Sequence, residues 1–77
     1  MKINISYHKL IKIEKYANNS LIEVPDRCTV RDIISLLGIP KNLTGAIVVY
    51  VNDQPAWNST VLKEGDSVKL LVLIGGG

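Results

Sequence analysis

The chain has 77 residues, 47% of them apolar, and nine basic residues against seven acidic ones give a net charge of +2. This length allows one domain with a single core, and the scattered charges argue against nucleic acid as the main partner, which requires a clustered basic face. A single cysteine and a single histidine exclude an intramolecular disulfide, a cysteine-based zinc site and most histidine-dependent catalytic sites.

The first part of the chain predicts two strands. Ile3, Ile5 and Tyr7 alternate with polar residues, which is the pattern of a half-buried strand. Residues 8–16 fit either a continuation of that strand or one helical turn. After an Asn-Asn-Ser turn, residues 21–24 predict a second strand.

A helix is predicted from its start, its apolar stripe and its stop. Thr29 and Asp32 have the spacing of a capping pair, in which the threonine hydroxyl accepts a hydrogen bond from the backbone of residue 32. Gly38 supplies the stop. Between them, apolar residues recur at helical spacing and must be buried against a sheet. These residues are Val30, Ile33, Ile34 and Leu37.

Two more strands are predicted in the second part. Residues 46–51 are rich in β-branched side chains. Residues 67–74 follow a tight turn in which Gly65 supplies a positive φ. We expect the first and last strands to lie side by side at the centre of the sheet, with the helix on one face.

The last strand also suggests a partner surface. Leu71 and Leu73 break its alternation, so the strand is either covered on both faces or exposes apolar surface. With Tyr50 they are candidates for a partner-binding patch on the sheet face away from the helix. The alternative is that residues 8–16 fold over them.

Two other side chains allow two interpretations each. Trp57 is either a core residue, which we prefer, or an anchor in a partner interface. Cys28 precedes the helix and is interpreted as a small packing residue rather than as a thiol of lowered pKa at a helix N-terminus.

The last three residues, Gly75 to Gly77, are either a frayed end or a functional thread. Glycines have no Cβ, so an extended glycine thread fits a narrow channel in another protein. The thread would deliver a terminal carboxylate, which is ionised at neutral pH and can attack the α-phosphorus of ATP. We expect residues 1–74 to form the domain and residues 75–77 a flexible tail.

Five stretches, in order and across nearly the whole chain, resemble the ubiquitin-like sulfur carriers of the ThiS/MoaD family, which includes the thiamine-biosynthesis sulfur carrier and the small subunit of molybdopterin synthase. They are Met-Lys-Ile-Asn-Ile at 1–5, Glu-Val-Pro at 23–25 with Thr-Val-Arg-Asp-Ile-Ile at 29–34, Val-Asn-Asp at 51–53, Leu-Lys-Glu-Gly-Asp-Ser-Val at 62–68, and the terminal Gly-Gly. The resemblance implies an α+β, β-grasp fold: a mixed sheet of four to five strands with one main helix packed on one face.

The resemblance also implies a co-substrate rather than an enzyme. A ubiquitin-activating-enzyme-like adenylyltransferase, using ATP and magnesium, would adenylate the carboxylate of Gly77, while Gly75 and Gly76 thread its channel. A persulfide donor would then give a thiocarboxylate. The acceptor of the sulfur would be a thiazole synthase or the large subunit of molybdopterin synthase. No cofactor or metal bound to the chain itself is implied.

The pathway stays open at this point. The long segment from His8 to Ser20 resembles the molybdopterin type, whereas the absence of a proline before the diglycine resembles the thiamine type. Two other functions also stay open: a protein modifier joined through Gly77 to lysines, and a non-covalent interaction module with an idle tail. We expect a cytoplasmic protein without a membrane partner, because the N-terminus does not resemble a signal peptide and the apolar runs are short.

Overall fold

The computed structural model describes residues 1–39 and 41–73. Its elements are β1 (Lys2–Tyr7), β2 (Ser20–Glu23), α1 (Val30–Leu36), α2 (Lys41–Thr44), β3 (Ile47–Val51), β4 (Gln54–Pro55) and β5 (Ser67–Val72). The strands form one five-stranded sheet in the order β2-β1-β5-β3-β4. The predicted mixed sheet with one main helix is confirmed, and the one-turn α2 and the two-residue β4 are additions to the prediction.

The two central strands are β1 and β5, as expected. They pair in parallel, with Ile5 beside Val68, whereas β5 pairs antiparallel with β3. Alternate side chains of β1 and β5 point to one face of the sheet, which we call the inner face. The four inner side chains nearest the centre are at most 1% exposed: Ile3, Ile5, Val68 and Leu70.

Helix α1 begins and ends as its sequence predicts. Asp32 N donates to Thr29 Oγ1 at 3.2 Å, and Thr29 N donates back to the Asp32 carboxylate at 3.0 Å. The hydrogen bonds from the Thr29 backbone and side chain hold the pKa of Asp32 below its usual value. Leu37 forms the C-cap, and Gly38 follows with φ of 73°. The helix therefore has a fixed length of two turns.

The core lies between α1 and the inner face. Val30, Ile33 and Leu37 are buried there and Ile34 packs against the core from a half-buried position, so the predicted stripe is confirmed. Cys28 is 5% exposed and belongs to the same cluster, which confirms its interpretation as a packing residue.

Residues 8–19 form neither of the two predicted structures and are irregular. The Tyr7 hydroxyl donates to the Tyr16 carbonyl at 2.6 Å, and the Ile13 carbonyl lies 3.3 Å from the same hydroxyl oxygen. Ile11 and Ile13 are buried in the core on the inner side of the sheet. The two buried isoleucines and the contacts with the Tyr7 hydroxyl hold this segment in place without regular secondary structure.

The variant Ile33→Asp tests how α1 is packed. Ile33 is 1% exposed, so the substitution buries a carboxylate without a partner. We expect the free energy of unfolding, measured by urea denaturation, to fall by about 3–5 kcal/mol. Ser35→Asp places the same group on the exposed side of α1 and should cost under about 1 kcal/mol. Equal denaturation midpoints for the two variants would contradict the packing.

Candidate partner interface at the end of the last strand

The C-terminal strand finishes at one particular end of the sheet. At that end β1 also finishes and β3 begins, because Tyr7 lies beside Leu70 and Ile47 lies beside Val72. We call it the exit end. The predicted thread, Gly75 to Gly77 with Gly77 as its reactive residue, lies outside the described residues, as does the predicted domain boundary after residue 74.

An apolar patch lies at the exit end on the outer face, away from α1. Since Leu70 and Val49 are buried, their neighbours Leu71, Val48 and Tyr50 point outward. The register places Val48 directly beside Leu71, and Tyr50 lies beside Lys69 and therefore diagonal to Leu71. The backbone N–H of Leu73 donates to the Ala46 carbonyl at 2.7 Å, which extends the same alternation by one residue. We call Val48, Tyr50, Leu71 and Leu73 the outer patch.

The outer patch is partly exposed, since Val48, Tyr50 and Leu71 are half-buried. Leu73 is 67% exposed, and residues 8–16 do not fold over it because their buried isoleucines, Ile11 and Ile13, point into the core on the other face. The structure therefore brings together all three predicted residues, Tyr50, Leu71 and Leu73. It adds Val48, which the sequence could not assign because β3 is apolar at nearly every position.

A polar hollow of about 210 Å³ adjoins the outer patch on the side of β1. Leu71 and Lys69 form one wall, and His8 and Asn18 belong to the other. The Asn18 side chain accepts from Tyr7 N at 2.9 Å and donates to Tyr7 O at 2.7 Å. This pairing ties the end of the irregular segment to the last residue of β1, beside the patch.

A second apolar surface lies at the exit end on the inner side of β5. It is a groove of about 220 Å³ whose walls are apolar side chains: Leu10, Ile11, Leu43, Ala46, Ile47 and Val72. We call it the helix-side groove. Its rim is open, since Leu10 is 57% and Leu43 is 41% exposed. The sequence gave no sign of this groove, because Leu10 and Leu43 lie in segments without a periodic pattern.

Trp57 is not a core residue, and the preferred interpretation of it was wrong. Its side chain is 75% exposed. The carbonyls of Asn58 and Thr60 accept hydrogen bonds from the N–H groups of Arg31 and Val30. The backbone of this segment, and not the indole ring, therefore contacts the first turn of α1.

Cys28 does not have the properties of a reactive thiol. Burial raises its pKa, and the nearby carboxylate of Asp32 raises it further. The thiol stays protonated at neutral pH, so it is a poor nucleophile.

The described residues contain neither a metal centre nor a membrane-spanning helix. Within residues 1–39 and 41–73, no group of three or more histidine, cysteine and acidic side chains could hold a metal ion. In the same part of the chain, no helix is long and apolar enough to cross a membrane.

Two solved structures resemble this fold over the full length of both chains. One is a chain from the protein–protein complex of subunits 1 and 2 of molybdopterin-converting factor from Helicobacter pylori 26695, with 23% identity and a TM-score of 0.65. The other is SAMP1 from Haloferax volcanii, with 19% identity and a TM-score of 0.70. At these identities the likeness shows a shared fold, and it confirms the predicted β-grasp architecture.

Comparison with curated proteins found no match. The model of the ThiS family, in contrast, matches residues 7–77, which are nearly the whole chain and include the glycines. The chain therefore belongs to the ThiS family of ubiquitin-like sulfur carriers.

Proposed function

We propose that this protein carries sulfur as a thiocarboxylate on Gly77. The observation that carries the proposal is the family match, which extends through the terminal glycines of a β-grasp domain. The position of β5 supports it, because the strand that precedes the glycines is paired with β1 and β3 at the centre of the sheet.

The first step of the proposed cycle is activation. The Gly77 carboxylate attacks the α-phosphorus of ATP, pyrophosphate leaves, and an acyl-adenylate forms. ATP and magnesium are used here by a ubiquitin-activating-enzyme-like adenylyltransferase and are not resident on the carrier. A carboxylate is a poor acyl electrophile, whereas AMP is a good leaving group, so this step makes the carbonyl reactive.

The second step is sulfur loading. The terminal sulfur of a donor persulfide displaces AMP and gives an acyl disulfide. Attack by a thiol on the donor sulfur then releases the thiocarboxylate and leaves a disulfide. The buried Cys28, with its raised pKa, is unsuited to supply either sulfur. The sulfur therefore comes from a partner, and this chain acts as a co-substrate rather than as an enzyme.

The third step is delivery to a synthase. A structural neighbour comes from a complex of two subunits of molybdopterin-converting factor. By analogy, we propose that this carrier docks on a sulfur-accepting subunit, either a thiazole synthase or the large subunit of molybdopterin synthase. The cycle takes place in the cytoplasm, where ATP and thiol donors are available.

The folded body is needed as well as the tail. A stable interface buries about 800 Å² on each partner, and three glycines offer only a small part of that area. The outer patch lies at the end of β5 from which the tail continues, so a partner that receives the tail is close to it. Tyr50, Leu71 and Leu73, together with Val48, are therefore proposed as the partner interface.

The variant Leu73→Ser tests the outer patch. Leu73 is 67% exposed, so the substitution should leave the urea midpoint unchanged. We expect the affinity for the adenylyltransferase, measured by calorimetry, to fall by more than about 1 kcal/mol.

Leu21→Ser is the matched control for that variant. Leu21 is 61% exposed on the same face, but it lies beside Asn4, toward the opposite end of the sheet. Its substitution should leave the affinity unchanged. Equal affinities of the two variants would remove the outer patch from the interface.

Deletion of Gly76 and Gly77 tests the proposed function itself. No core side chain is lost, so the melting temperature should be unchanged, while ATP–pyrophosphate exchange with the adenylyltransferase should disappear. One alanine added after Gly77 should also abolish exchange, because it moves the carboxylate by about 3.3–3.6 Å along an extended chain. Full exchange from the truncated protein would contradict the proposal.

A further inference from the structure

The acidic residues of this molecule are concentrated toward one end of the sheet, whereas its basic residues are spread over both ends. Six of its seven acidic residues lie on segments at the end opposite the exit: Glu23, Asp26, Asp32, Asp53, Glu64 and Asp66. The register supports this placement, since Glu23 lies beside Lys2 at the start of β1 and Asp53 lies in the turn after β3. Glu14 alone belongs to the segment between β1 and β2 at the exit end.

That segment makes the exit end basic. It carries Lys9, Lys12 and Lys15 against the single Glu14. All three lysines are exposed. Within the described residues, the ion pairs are formed by the Met1 amino group and by Lys69, so these three lysines have no ion-pair partner in that part of the chain.

Two of these lysines adjoin, in the chain, residues that line the helix-side groove. Lys9 and Lys12 directly flank Leu10 and Ile11, which form part of its wall. The groove of about 220 Å³ has almost no polar lining. It is larger than an apolar cavity of about 150 Å³, which is enough to bind benzene. The exit end thus combines room for one aromatic or aliphatic side chain with a cationic border.

We propose that the helix-side groove is a second docking site for the activating adenylyltransferase, which fills it with an apolar side chain set among carboxylates. The apolar side chain would displace water from the groove, and the carboxylates would pair with Lys9 and Lys12. This proposal rests on the proposed function and assigns to the partner a contact separate from the outer patch.

Continuity with the outer patch supports this occupant. Val72 belongs to the groove, and its neighbours Leu71 and Leu73 belong to the outer patch, so the two surfaces flank the same strand. A protein that surrounds the tail where it leaves β5 contacts both faces. The protein has 5289 Å² of surface in total. An interface of about 800 Å² would cover a large share of this surface, and it is larger than the four side chains of the outer patch can provide.

The charge of the exit end favours the activation step in particular. Adenylation brings an anionic carboxylate to anionic ATP, and lysines beside the exit reduce the repulsion in that encounter. We therefore assign the groove to the activating enzyme and make the synthase an outcome of the test.

The variant Leu10→Asp tests the groove, and Leu21→Asp is its control. The two leucines are 57% and 61% exposed, so both variants should fold, as a urea denaturation curve will verify. In ATP–pyrophosphate exchange we expect Leu10→Asp to raise the KM for the carrier by at least about fivefold with little change in kcat. Leu21→Asp should match the wild type.

The double variant Lys9→Glu/Lys12→Glu tests the charges. It should raise the same KM and weaken the dependence of that KM on salt concentration, because the attraction is lost. Arg31→Glu/Lys63→Glu makes the same change in net charge on exposed residues near the opposite end and should have a smaller effect.

The outcomes separate this proposal from the proposed function. If the wild type supports no exchange, the proposed function fails. If exchange is normal and Leu10→Asp equals Leu21→Asp, only the groove proposal fails. A lower KM for Leu10→Asp would instead place the chain's own tail in the groove. If Leu10→Asp loses sulfur delivery but keeps normal exchange, the synthase occupies the groove. If the wild type is a dimer that Leu10→Asp dissociates, a second copy of the chain occupies it. Each of these three results overturns the proposal.

Discussion

Parallel pairing between β1 and β5 is the constraint on which the rest of this molecule depends. Neighbouring strands that are parallel need a crossover between them, and most of the chain, including α1, forms it. The pairing places the last strand at the centre of the sheet, with β1 hydrogen-bonded on one side and β3 on the other. The strand is fixed along both edges as far as Leu70, and its last residues remain paired with β3.

The two faces of β5 then divide its side chains between stability and recognition. Val68 and Leu70 are buried and hold α1 against the sheet, whereas Leu71 and Leu73 face outward beside β3. Val72 lies on the inner side but so near the exit that it lines the helix-side groove instead of the closed core. Apolar residues at consecutive positions of one strand thus serve different surfaces, which explains why its alternation breaks.

Local patterns predicted the parts of the fold that local interactions decide. The Thr29–Asp32 capping box, the stop at Gly38 and the turn at Gly65 each depend on residues a few positions apart, and all three are confirmed. The strand pattern already favoured adjacent first and last strands, and the family resemblance added the β-grasp fold and a role for the tail.

The features that sequence reasoning missed depend on contacts between distant segments. Val48 could be assigned to the outer patch only once its register with Leu71 was known. Trp57 is exposed, and its neighbours contact α1 through backbone carbonyls instead of side chains. No side-chain pattern reveals such a contact. The most direct test of the sulfur-carrier function is tandem mass spectrometry of the tryptic peptide after Lys69, from protein made with its adenylyltransferase and a persulfide donor. The account predicts that sulfur replaces one oxygen of the Gly77 carboxylate. An unmodified carboxylate in a carrier that still delivers sulfur would contradict it, and so would Gly77 joined to a lysine.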